Sequence, residues 1–331
     1  MTGHLPLRDE RQEMSRSKMN GKSSIMSVSK QIRWTDMECH QQRSSQMTRS
    51  EFHSFRHGKF DITVLSDGPI VLNGELFAPE ADDDERAAIV SRLDGKDNTA
   101  HAQSNIPLIV HDEQVILVDV GAGKRFQPTE GMLEENLERV GVRADDVTIV
   151  LISHAHPDHI WGLLRDDGSL RFPKAKYYVG RAEWDFWMGE VASALPAEMQ
   201  PFVEGARRDL TALQDRVNLL EGGDEIVPGM HVLSTPGHTP GHLSVVLDSD
   251  VPLIITVDAV SSEIVSFEHP DWSFGFDMDP TKARVTRRAL LEQACAQNAT
   301  LLGFHWTYPG VGRIVKAGDA YEFANAAGER S

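Results

Sequence analysis

Cysteine is nearly absent from this chain: Cys39 and Cys295 are the only two in 331 residues. Two thiols so far apart, outside any C-x-x-C spacing, exclude a disulfide framework and a cysteine-based zinc or redox motif. Long apolar runs are missing as well. None approaches the ~20 residues that a bilayer span requires, and the longest, 147–152 and 251–257, have the length of buried strands. The N-terminus lacks the apolar stretch of a secretory signal, so the cytoplasm is the expected location. Positive charge is scarce: 33 Lys and Arg face 50 Asp and Glu, a formal net charge of −17. An acidic body repels nucleic acid and anionic lipid, which removes both from the expected partners.

What is present divides into two parts. Residues 1–50 carry nine Lys and Arg against five Asp and Glu, are rich in Ser, Gln and Met, and show no sustained apolar period. Such a composition buries too little surface to offset its ordering entropy, so a disordered extension is expected there. Methionines at 14, 19, 26, 37 and 47 leave open a later start. Residues 51–331 read as one domain, and the 40% hydrophobic content supports a substantial core. Strand patterns are predicted at 59–67, 106–110, 115–120, 148–152, 176–179, 230–234, 244–247, 253–257, 301–304 and 313–315. Residues 79–86 read as a charged loop leading into a short helix. Helical spacing is predicted at 130–140, 181–188, 201–214 and 281–298. Interleaved elements with strands in the majority predict stacked sheets covered by helices rather than a single parallel sheet.

The segment Ile152-Ser153-His154-Ala155-His156-Pro157-Asp158-His159 carries most of the chemistry. It follows an apolar strand, where a loop exposes side chains. His154 and His156 are two apart, so in extended backbone they point the same way, and a pair of imidazoles suits a divalent cation of the zinc type. Pro157 breaks the extended run and lets Asp158 and His159 turn towards a second position. Three further elements share this placement. His238 lies in the glycine-rich loop Thr235-Pro236-Gly237-His238-Thr239-Pro240-Gly241-His242. Asp258 follows the apolar run 253–257, where an unpaired carboxylate would be costly. His305 follows 301–304. His242 reads either as a residue supporting the site or as an ordinary histidine.

These residues resemble the metallo-β-lactamase superfamily, whose signature is H-x-H-x-D-H followed by a distant His, Asp and His. The resemblance implies an α+β fold, a four-layer αββα sandwich with the metal site at one edge of the two sheets. It further implies that His154, His156 and His238 hold one metal, that Asp158, His159 and His305 hold another, and that Asp258 bridges both. Asp119, in Val118-Asp119-Val120-Gly121, matches the family's first motif and would orient ligands from behind. The segments 172–179, 182–187 and 305–312 are similar to the methyl parathion hydrolase and lactonase branch, whose pockets are lined by aromatic residues. Trp187 is the aromatic pocket candidate here, with a packed core residue as its alternative. Class B β-lactamases commonly place Cys where Asp258 stands, which speaks against drug hydrolysis.

Two divalent ions about 3.5–4 Å apart can share a hydroxide made from water at neutral pH and stabilise both ends of a displacement. The expected activity is hydrolysis of an ester, lactone or phosphotriester, with two divalent ions, zinc first and Mn, Fe or Co as alternatives. Asp158 would accept a proton as well as bind metal, and Asp258 would be catalytic through its bridging position. A small-molecule substrate is the expected partner, and the resemblance allows a homodimer. Acyl-homoserine lactonases set a tyrosine beside the substrate carbonyl, which Tyr177, Tyr178, Tyr308 and Tyr321 do not obviously supply. The alternatives are a thioester hydrolase like glyoxalase II and a non-catalytic metal-binding sensor or scaffold.

Overall fold

Alternation of apolar and polar side chains gives short strands, and the apolar faces of two sheets meet to form the core. The computed structural model describes residues 52–325, so the extension expected over residues 1–50 lies outside the described residues. The first sheet contains β1 (His53–His57), β2 (Phe60–Ser66), β5 (Asn105–His111), β6 (Gln114–Val118), β7 (Ile149–Ile152), β8 (Lys176–Gly180) and β9 (Val217–Leu220), in that spatial order. Pairing is antiparallel from β1 to β6 and parallel from β6 to β9. The second sheet runs β10 (Glu225–Val227), β11 (Met230–Ser234), β12 (Leu243–Leu247), β13 (Leu253–Ile255), β14 (Thr300–Leu302), β15 (Val311–Ala317) and β16 (Ala320–Asn325). Only its β13–β14 pair is parallel.

The inner faces pack into one cluster. Ile62, Val64, Leu108 and Leu117 of the first sheet share it with Val232, Val245, Leu253 and Leu302 of the second. Helices cover both outer faces. Leu290, Leu291 and Ala294 of the Pro280–Ala296 helix pack on Val246, Ile254 and Leu301. Leu133 and Leu137 from the Leu133–Arg139 helix, with Val203, Leu210 and Leu213 from the Gln200–Leu213 helix, join the cluster from the other side. This is the αββα sandwich of the metallo-β-lactamase fold.

A smaller unit interrupts the first sheet. β3 (Ile70–Asn73) and β4 (Thr99–Ala102) pair antiparallel around the Asp83–Arg92 helix. The Asp82 carboxylate caps that helix by accepting from Glu85 N at 2.9 Å; such caps typically contribute about 1 kcal/mol. Its separate core of Ile70, Leu72, Phe77, Ile89 and Val90 includes Phe274 from a distant loop.

Chain direction decides where the polar loops gather. β6 and β7 are parallel, and β11, β13 and β14 run in one common sense. Their C-terminal ends therefore open onto one edge. Two bonds join the sheets there: Asn105 N donates to Phe304 O at 2.9 Å, and Leu243 N donates to Ser153 O at 3.1 Å.

Candidate metal centre

At that edge the seven predicted side chains converge. His154, His156, Asp158, His159, His238, Asp258 and His305 are all buried, none more than 6% exposed. The His156-Pro157 turn does what its residue types require. Pro157 takes the first position of the short Pro157–Ile160 helix, where its missing N–H costs nothing. That single turn brings Asp158 and His159 back over the strand end.

Asp258 lies at the centre. Its Oδ2 is 3.2 Å from Nε2 of both His238 and His305, 3.6 Å from His159 Nε2 and 4.0 Å from His154 Nε2. Asp158 Oδ2 is 3.3 Å from Nε2 of both His159 and His305. His156 Nδ1 lies 2.9 Å from His238 Nε2. Three sets bring their ligand atoms within 4.8 Å of one another: His154, His156 and His238; His154, His159 and Asp258; Asp158, His159 and His305.

The backbone under these residues is unusual. β13 ends at Ile255, two residues before the predicted limit, and Val257 takes a φ of 48° as a 3-10 turn lifts Asp258 inward. Asp119 has a φ of 68°. Left-handed backbone is rare for a β-branched residue, and such strain concentrates at functional sites. The glycines of the His238 loop allow close approach: a Cβ on Gly237 would meet Ala283 N at 2.3 Å, and one on Gly241 would meet Glu183 N at 1.9 Å.

Four of the five imidazoles have a partner behind them on one ring nitrogen, and among hydrogen-bond partners His156 meets only His238. His159 Nδ1 donates to Asp119 Oδ2 at 2.8 Å, and Asp119 is itself held by Ser153 N and Oγ, each at 2.7 Å. His238 Nδ1 donates to Asp277 Oδ1 at 3.1 Å. His305 Nδ1 donates to Gln103 O at 2.9 Å. His154 Nδ1 pairs with Ser153 Oγ at 3.0 Å. Asp119 thus lies behind His159, hydrogen-bonded to its Nδ1. His242 joins this group: its Nε2 accepts from Asp258 N at 3.1 Å, and its Nδ1 pairs with Thr235 Oγ1 at 2.8 Å. Burial and the neighbouring His238 lower its pKa to about 3, so it is a neutral acceptor.

The electrostatics suit a cation. Burial, reinforced by neighbouring imidazoles, drives His154 and His156 well below their ordinary range and leaves them neutral. Burial alone would raise Asp158 and Asp258, but the surrounding histidines outweigh it and keep both ionised. The same attraction overcomes burial at His159, and at His305 it lifts the pKa to about 10. A field that retains protons there is a field that attracts metal ions, and binding would release those protons. The fit shows in atoms without hydrogen-bond partners: Nε2 of His154, His156 and His159, Asp158 Oδ2 and Asp258 Oδ1 are buried and unpaired. Buried polar atoms are normally satisfied, and a ligand set facing inward explains this group.

Trp187 is placed differently from its prediction. It is 0% exposed, donates from Nε1 to Glu183 Oε1 at 2.6 Å, and packs edge-on behind His156 at 6.1 Å. Its partner Glu183 stands one helical turn earlier, so the i, i+4 geometry turns the indole inward. The cleft over the cluster is instead lined by Ile70, Leu72, Phe126, Phe202, Phe274 and Phe276. Tyr177 and Tyr308 are committed to Phe172 O and Val64 O, and among the described residues no tyrosine lines the cleft.

Sequence reasoning also missed Asp277 and Glu183. The buried Glu183 carboxylate accepts from Ala155 N, Trp187 Nε1, Thr239 Oγ1 and Gly241 N, tying the His156 loop to the His238 loop. Glu183 falls in the segment 182–187 and was legible as a lone acid on the buried face of its helix, whereas Asp277, in a loop, gave no such signal.

Comparison with known proteins agrees with this fold. The profile of the Metallo-beta-lactamase superfamily matches residues 101–305. An N-acyl homoserine lactonase of Bacillus cereus is 28% identical over 201 residues, covering 54% of this chain and 72% of the relative. Among solved structures, AidC, described as a dizinc quorum-quenching lactonase in complex with a product, has a TM-score of 0.77 at 28% identity, covering 83% of this chain and 97% of AidC. The hydrolase AbOPH has a TM-score of 0.78 at 28% identity, covering 84% and 98%. With the profile match spanning most of the chain and the histidine–carboxylate cluster at one sheet edge, this chain belongs to the metallo-β-lactamase superfamily and is a metal-dependent hydrolase.

Proposed function

We propose that this chain opens lactones that carry an apolar arm, N-acyl homoserine lactones being the leading class, at a site for two divalent cations, zinc first among them. The observation that carries the reading is the pairing of an ionic floor with an entirely apolar wall. His154, His156 and His238 would hold one cation, Asp158, His159 and His305 the other, with Asp258 between them. When bound, such ions acidify water and polarise the scissile carbonyl.

The chain's own residues supply the rest. Ile70, Leu72, Phe126, Phe202, Phe274 and Phe276 receive the acyl arm and exclude bulk water. Asp158 borders the same cleft. Its carboxylate takes one proton from water as the water oxygen bonds to the carbonyl carbon. It returns that proton to the ring oxygen as the acyl C–O bond breaks, so one water is consumed and a hydroxy acid leaves. Asp258 keeps its aim through the bond from its main-chain N–H to His242.

No Lys or Arg borders the cleft among the described residues, which counts against an anionic glutathione thioester. The test is a turnover panel of acyl homoserine lactones, aryl esters, phosphotriesters and glutathione thioesters on protein of measured metal content. Lactones with longer arms are expected to react fastest. A glutathione thioester or a phosphotriester as the best substrate overturns the assignment.

A further inference from the structure

The loop that bears Phe274 and Phe276 is fastened from behind by a single buried arginine. Arg287 projects from the Pro280–Ala296 helix and is 2% exposed. Its Nη1 donates to Trp272 O and, at 3.4 Å, to Pro270 O, while Nη2 donates to Asp277 Oδ2 at 3.1 Å. Asp277 Oδ2 also accepts from Phe274 N at 3.0 Å, and Oδ1 accepts from His238 Nδ1 at 3.1 Å. One carboxylate therefore neutralises the arginine, closes the loop and aims a metal-site imidazole.

We propose that Arg287 is a positioning residue that, acting through Asp277, locks the aromatic wall of the substrate cleft to His238. A planar guanidinium can reach two carbonyls and a carboxylate at once, whereas an ammonium on a flexible stem holds such a set poorly. Main-chain bonds complete the join: Met278 N donates to His238 O at 3.0 Å, and Asp279 N to Gly237 O at 2.9 Å. The Phe274 ring lies against His238 at 5.9 Å and 24°, and Phe276 against Phe202 at 6.1 Å and 29°. The wall and the imidazole thus form one body. A shift of the loop changes both the fit of the acyl arm and the direction of His238 Nε2, so selectivity for arm length and coordination at His238 are coupled.

The claim that Phe274 and Phe276 meet the substrate arm rests on the function proposed above; the claim about His238 does not. The experiment compares R287M, R287K and D277N with the unmodified protein, and uses E292Q, at an exposed position of the same helix, as a control. Each folded variant is loaded with Co(II), its visible absorption is recorded, and its ratio of kcat/KM for decanoyl over butanoyl homoserine lactone is measured. R287M and D277N are expected to alter the cobalt spectrum and to weaken binding of one cobalt about tenfold or more, the range that partners behind metal ligands usually contribute. R287M is expected also to lower the arm-length ratio, R287K to recover part of both changes, and E292Q to alter neither. Folded R287M or D277N with an unchanged spectrum overturns the proposal. So does a changed spectrum beside an unchanged ratio. If no lactone reacts, the function above fails while the cobalt spectra still decide the role of Arg287, and if R287M does not fold, D277N and R287K decide it.

Discussion

The floor and the wall of the cleft are built on opposite principles. The floor residues are polar and buried, and three of the imidazoles are fixed by a group behind them: Asp119 behind His159, Asp277 behind His238, Gln103 O behind His305. The wall is apolar and assembled from β3, a loop at Phe126, a helix at Phe202 and the loop of Phe274 and Phe276. Directional polar contacts in a buried site tolerate little displacement. Apolar contacts ask only for volume and shape and accept substitution. The chemistry is therefore set by the floor, and truncating a wall side chain can change substrate choice without disturbing it, so long as the loop backbone tied to His238 through Asp277 stays in place.

The sharpest way to break this contrast is on the floor. Asp258→Ala or His156→Ala is expected to reduce turnover to background while the fold persists, measured by initial rates beside circular dichroism. One layer back, Asp119→Ala is expected to cost about 10–100-fold in activity or metal affinity, read by rates and competitive chelation. At the wall, Phe276→Ala is expected to raise KM for a decanoyl lactone roughly tenfold, the equivalent of about 1.5 kcal/mol of lost apolar burial, and to leave kcat and the butanoyl substrate nearly unchanged. Trp187→Phe removes one of four donors to Glu183. It is expected to cost about 1 kcal/mol of stability with no change in KM, because the indole lies behind the floor.

A pH experiment sharpens the comparison further. Glu130, buried beside the floor, is raised from 4.5 to about 8, first by burial and then by the charges of Asp158 and Asp67. In metal-free protein the folded state keeps a proton that the unfolded chain has lost. Stability is then full below about 4.5 and falls as pH rises towards about 8. Glu130→Gln is expected to flatten that slope in urea titrations, and an unaltered slope contradicts the assignment.

The same contrast explains what could be read in advance. Met230–Ser234 and Arg181–Met188 lie where the patterns place them, and the seven floor residues were identifiable because coordination chemistry restricts residue type and spacing. β1, β3, β4, β9, β10 and β16 were not predicted, since three to six mixed residues carry too little alternation to stand apart. The β13 boundary was overrun because the apolar run continues to Val257, while the left-handed turn at that residue is set by tertiary contacts. Trp187 was assigned to the wall because an aromatic in a helix near the site has the right composition. Which way it faces depends on Glu183, and that preference is local only once the helix is docked. The true wall draws on residues from 70 to 276, whose meeting no short window reveals.

The central claim is that the His and Asp cluster works by holding two divalent ions, and a metal titration tests it most directly. Hydrolysis of N-decanoyl homoserine lactone is followed as zinc is added to fully chelated protein, with bound zinc measured at each point. The account predicts no ring opening at the start and a rate that climbs to its plateau at two equivalents. Full turnover by the metal-free protein, or a plateau reached with no zinc bound, would contradict it.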